Sequence, residues 1–180
     1  MSFRTEPTLA PSIEDVAPPA WGLALALFVA LILQSSFVPQ LQIRGAFPSL
    51  VLTLVVWYAL QSGLQAGVLY GTIAGFCEDA FAATTGAAWM LSTGLVALVA
   101  GALGAFPIAR TRLAAAAIAA FLTVTRFILF LLVERMEGLN VVFVAPHMHA
   151  VLWQGLFNGL LLSFALTVQA RIVAYRVAHR

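Results

Sequence analysis

One arginine and two acids stand deep in apolar sequence, and their types could do chemistry. Arg126 sits in LTVTRFILF, while Glu78 and Asp79 follow Cys77 in GFCEDAF. A guanidinium facing a carboxylate serves either as a structural tie or as a step in a proton or ion pathway. Left unpaired in lipid, the arginine costs ~2.5 kcal/mol or more, unless it snorkels outward or meets a lipid headgroup. His147 and His149 are two apart in PHMH and could ligate a metal, but a third ligand is not evident, so loop histidines at a membrane surface are the plainer reading. Cys77 has no histidine near it in sequence, and an apolar setting keeps it a protonated thiol. Glu134 and Glu137 stand where a helix runs out into water and read as solvated. The sequence holds no Walker-type loop, GxSxG or HExxH. The expectation is no catalytic residue, no metal, no cofactor, and so no enzyme.

Composition says what must position these residues. Apolar residues make up 62 % of the 180, charged residues 9 %, and the mean hydropathy is +1.00. A soluble domain runs nearer ~45–50 % apolar and ~25 % charged. So few charges cannot cover a water-facing surface, which excludes a cytosolic enzyme, a secreted domain and a disordered chain. A single cysteine excludes a disulfide framework. The basic charge is nine scattered arginines with no lysine, so there is no footprint for nucleic acid. A polytopic membrane protein remains.

A membrane helix needs about 20 apolar residues, and short ones about 17. The proline-rich, charged residues 1–20 read as a disordered cytoplasmic tail rather than a cleaved signal. Residues 21–175 read as a compact all-α bundle of six short transmembrane helices, and 176–180 as a cytoplasmic tail. The spans are about 21–37, 49–60, 64–81, 87–106, 113–133 and 150–173. The second and third come from one apolar stretch, 50–81, which would be ~48 Å long as a single helix. Its polar break at Gln61-Ser62-Gly63 argues for two. Arginines in short loops and tails then put both termini in the cytoplasm. Merging the second and third spans gives a rival arrangement with the N-terminus outside. Trp21, Trp89, Trp153 and Tyr175 fall near the proposed interfaces, where such rings prefer to sit.

Helices in lipid associate by close packing of small residues. Gly63, Gly67, Gly71 and Gly75 recur every four residues along the third helix, and Gly155, Gly159, Ser163 and Thr167 do so along the sixth. Each face either packs inside the molecule or receives a partner's transmembrane helix. From the cytoplasmic ends, Glu78 and Arg126 both lie about fourteen residues up their helices, ~21 Å at 1.5 Å per residue. Equal depth predicts an Arg126 ion pair with Glu78 or Asp79.

Three stretches resemble the bacterial rod-shape-determining MreD family. FPSLVLTLVVWYAL, opening at Phe47-Pro48, is similar to the family's Pro-led second helix. GTIAGFCEDAFAATTG resembles its most characteristic segment, with Gly71, Gly75, Asp79 and Gly86 in the matching positions. Asn158-Gly159 in NGLLLSFALTV is similar to the start of its last helical core. The chain departs from the pattern at Ser49, Thr85 and Glu78. The resemblance implies a fold like the substrate-binding membrane subunits of energy-coupling-factor vitamin transporters. It also implies a non-catalytic scaffold of the cell-wall elongation machinery in the inner membrane. Its partner would be MreC, and through it MreB, RodA and a class B penicillin-binding transpeptidase. The alternative function is the vitamin-transporter subunit itself, which would need polar groups converging on a pocket.

Overall fold

A computed structural model describes residues 18–82, 85–138 and 145–179. The expected N-terminal tail lies outside these residues up to position 17. Among the described residues the chain is all-helical, with α1 Ala20–Ser36, α2 Leu50–Ser62, α3 Leu64–Ala82, α4 Ala88–Leu103, α5 Arg112–Met136 and α6 Ala145–Ala178. Two 3-10 turns, Val38–Leu41 and Pro107–Arg110, each begin at or next to a proline. Helix ends fall close to the sequence boundaries except in α6, which extends several residues beyond 150–173 at both ends. His149 therefore belongs to a helix rather than a loop, and accepts a 3.2 Å hydrogen bond from Trp153 Nε1.

α2 is the pillar of the bundle. It packs against all five other helices, and Val51, Val55, Val56 and Ala59 have no exposed surface. A helix of 13 residues is only ~20 Å long. That is short for a bilayer core of ~30 Å, but lipid sets no length for a helix wrapped in protein. An apolar sequence all round is what such a position demands.

The break after α2 is a single residue. Gly63 has φ +85°, outside any helix, so the four-residue glycine register begins at Gly67 rather than at Gly63. The remaining face is filled from within. A Cβ on Gly67 would come within 2.7 Å of Ala59 Cβ, one on Gly71 would strike Ala97, and one on Gly75 would strike the Trp89 carbonyl. α4 answers with small residues of its own: Gly101 lies against Leu64 Cα and Gly104 against the Leu60 backbone. On α6, Gly155 and Gly159 admit the Ala120 and Ala116 carbonyls of α5. Ser163 continues that face half-buried, its carbonyl taking the Thr167 hydroxyl at 2.8 Å. Both small-residue faces are thus internal, and neither is open to a partner's helix. α2 and α4 fill the first, and α5 the second.

The exterior is apolar. Leu25, Phe28, Ile73, Phe76, Phe121 and Phe164 are all exposed. Patches of this extent are uncommon on soluble monomers. Two helices, Arg112–Met136 and Met148–Arg176, are long and apolar enough to cross a membrane. Only 28 % and 33 % of their most apolar stretches is buried, unlike the core helix of a soluble protein.

Candidate functional site: a polar junction joining six helices

Where α1 and α3 finish and α2 and α4 begin, and well within α5 and α6, one hydrogen-bonded network takes a side chain from five helices and from the N-cap of α2. Its seed is the start of α2. Pro48 precedes Ser49, which is the N-cap, and Ser49 Oγ accepts from Leu52 N at 3.2 Å. The first backbone donors of any helix lack intrahelical partners, and burial makes an empty one expensive. Two more are satisfied from a distance. Gln34 Oε1, on α1, accepts from Val51 N at 3.1 Å and from Ser49 Oγ at 3.2 Å. Asn158 Oδ1, on α6, accepts from Ser49 N at 2.7 Å. Asn158 has no exposed surface, and its Nδ2 donates to Thr123 Oγ1 on α5 at 2.9 Å.

The charges join the same network. Arg126 pairs directly with Glu78 through Nη2 and Oε2, both residues being buried. Glu78 Oε1 also accepts from Gln34 Nε2 at 3.1 Å, and Oε2 from the Thr93 hydroxyl of α4 at 3.5 Å. Arg126 Nη1 donates to Ser49 Oγ at 3.4 Å. The guanidinium lies over the Trp89 ring, 4.4 Å from its centroid, and that indole also stacks on Phe130 at 4.0 Å. Trp89 is therefore an inward partner of the arginine rather than an interface anchor. A buried pair repays its desolvation only when further hydrogen bonds complete it, and Glu78 meets that condition. Arg126 does not quite. Its Nε is buried with no hydrogen-bond partner among the described residues.

Asp79 does other work. Successive helical residues point about 100° apart, so adjacent acids on α3 cannot face one arginine equally. Asp79 turns to α4, whose N-cap, Ala87, has no capping side chain. Its carboxylate accepts from Trp89 N at 3.0 Å, Met90 N at 2.7 Å and the Thr85 hydroxyl at 2.8 Å. Glu137, expected to be merely solvated, accepts from Ala87 N at 3.1 Å. Gly86, at φ +57°, lies so close to that carboxylate that a Cβ would overlap it.

Beside the ion pair is a cavity of about 300 Å³. Gln34, Ser49, Glu78, Arg126 and Gln154 give it polar walls, and Leu31, Phe47, Phe81 and Phe127 apolar ones. Among the described residues no three histidines, cysteines or acids gather as metal ligands, and the His147 side chain lies outside what is described.

Sequence reasoning brought forward Glu78, Asp79, Arg126 and Asn158 but passed over Gln34, Thr93 and Thr123, and treated Ser49 only as a departure. Gln34 did leave a signal, as the only side-chain amide within α1. Comparisons with protein-family models, curated proteins and solved structures returned no match.

Proposed function

We propose that this chain is a six-span, non-catalytic scaffold of the bacterial inner membrane, of the MreD type, that binds MreC within the cell-wall elongation machinery. Both termini are cytoplasmic in this reading, and the polar junction lies toward the outer face. The supporting observation is that the two intramembrane acids are engaged in joining helices. Glu78 takes three donors and Asp79 three. Groups held this way build a rigid body against which other membrane proteins fit. A partner helix would use the lipid-facing surface, since the small-residue faces are filled from inside.

Depletion in a rod-shaped host tests this. The expected result is rounded cells, with an MreC-type single-span protein recovered alongside the tagged chain in mild detergent. Normal rods and no such partner would overturn it.

The cavity favours a second reading, a membrane-embedded substrate-binding subunit of a vitamin transporter. Its volume is at the lower end for ligand sites, about 300–1,000 Å³, and it combines apolar walls with a few converging polar groups. Dependence of vitamin uptake on the chain would decide for it.

A further inference from the structure

The end of the bundle away from the ion pair gathers cations with nothing to balance them. Arg110 closes the second 3-10 turn and Arg112 opens α5. Arg110 Nε donates to the Gly104 carbonyl at 2.9 Å, which holds the side chain and leaves its Nη groups without an acceptor among the described residues. Arg112 is exposed and makes no side-chain hydrogen bond or ion pair with any described residue. The described acids are Glu78, Asp79, Glu134 and Glu137, and all stand elsewhere. Glu134 lies ~33 Å along α5 from Arg112, while Glu78 and Asp79 are held in the polar junction. Arg171 and Arg176, both exposed on α6, add to the positive potential.

Both α5-end arginines line a cleft of about 610 Å³, together with Gln169 and Ala170 of α6. Gln169 Oε1 accepts from Trp57 Nε1 at 2.9 Å, which leaves its NH2 to donate. The cleft exists because α6 outruns α5. Gly155 against Ala120 and Gly159 against Ala116 set the antiparallel register, and the next such step brings Arg112 level with Ser163. α6 continues to Ala178, ~22 Å beyond that level. The overhang exposes Phe164, Val168 and Ile172, and Ile108 and Leu113 are exposed beside the arginines. A soluble anion gains nothing from such an apolar rim. A lipid gains on both counts, its chains lying along the rim while its phosphate turns in to the cations.

We propose that the notch between the start of α5 and the overhang of α6 binds the headgroup of an anionic phospholipid. The phosphate takes the Arg112 guanidinium and the Nη groups of Arg110, since arginine and phosphate suit paired N–H···O bonds. Gln169 donates beside them, and an acyl chain runs along Leu113. Basic pockets between membrane helices hold anionic headgroups in this way. The inference rests on the bilayer part of the scaffold reading and not on MreC. The lipid braces α6 where α5 no longer supports it.

The test uses the full chain in a neutral detergent, with thermal unfolding as readout and phosphatidylglycerol, phosphatidylcholine and glycerol phosphate as probes. Saturable stabilisation by phosphatidylglycerol is expected, with clearly weaker binding of phosphatidylcholine and none of glycerol phosphate at the same concentration. Arg112→Gln removes one free guanidinium, and Ala170→Phe narrows the cleft at an exposed position without touching charge. Each should weaken phosphatidylglycerol by about fivefold or more, the worth of one arginine at an anionic surface. Arg135→Gln, an equal loss of charge at the other end of α5, should respond like the parent. The proposal is overturned if phosphatidylcholine or glycerol phosphate stabilises as well as phosphatidylglycerol, or if both cleft variants respond like the parent. It is also overturned if Arg135→Gln loses as much as Arg112→Gln, which would mean diffuse attraction rather than a site. Cell shape and MreC recovery are separate readouts, so failure here leaves the scaffold reading to its own test.

Discussion

Ser49 and Asn158, 109 residues apart in sequence, are joined by a 2.7 Å hydrogen bond from the backbone amide of one to the side-chain oxygen of the other. The start of the central helix is thereby finished by the last helix. Asn158→Leu keeps the bulk of the side chain but leaves the Ser49 amide and Thr123 hydroxyl short of a partner. It should cost about 1–3 kcal/mol, the usual penalty for a buried unsatisfied group. Unfolding of the detergent-solubilised protein by heat or SDS measures it. A neutral outcome would mean that water replaces the asparagine.

Removing either partner of the Arg126–Glu78 pair strands a buried charge. Arg126→Ala or Glu78→Ala should cost about 3–5 kcal/mol. Combining Arg126→Glu with Glu78→Arg should recover part of the loss, while combining Arg126→Glu with Asp79→Arg should recover none, because Asp79 touches α4 instead. Equal behaviour of the two double variants would refute the assignment.

Asp79→Ala should release the amides of Trp89 and Met90 and cost about 0.5–2 kcal/mol, as loss of a helix cap does. Hydrogen exchange gives the sharper readout, with faster exchange confined to the first turn of α4. If the whole helix exchanges faster instead, Asp79 is not a local cap.

Gly75→Ala and Gly159→Ala place a methyl group against backbone, not a side chain that can turn away. The Gly159 methyl would lie 2.7 Å from the Ala116 carbonyl oxygen. Each should cost about 1–3 kcal/mol through overpacking. At Gly63 nothing lies within 4 Å of an added Cβ, so Gly63→Ala meets only the strain of its positive φ. Thermal denaturation of the three variants should show the Gly63 change as the mildest.

The ion pair is legible in the sequence because rise per residue is fixed: two charges at equal distances along neighbouring helices share a depth. Which acid would meet Arg126 was not legible. That depends on the rotation of α3, which the packing of Gly67 on α2 and of Gly71 and Gly75 on α4 decides. The glycine faces were visible as faces, but periodicity alone does not say which helix fills them, and it counted Gly63 into a helix that starts one residue later. Gln34 and Thr123 stayed hidden for a different reason. Amides and hydroxyls are common in helices, and only the meeting of segments 15 to 44 residues apart shows which of them are used.

The short central helix has a consequence for how the molecule is made. A ribosome that has released α1 to α4 has delivered Ser49 and Glu78, but neither Arg126 nor Asn158. At that stage α2 is a ~20 Å rod with its first amide and an acid nearby awaiting counterparts that have not been synthesised. The arrival of α5 and α6 is then more than the addition of two helices. It locks every helix made before, and a newborn chain halted ahead of that point should be prey for quality-control proteases.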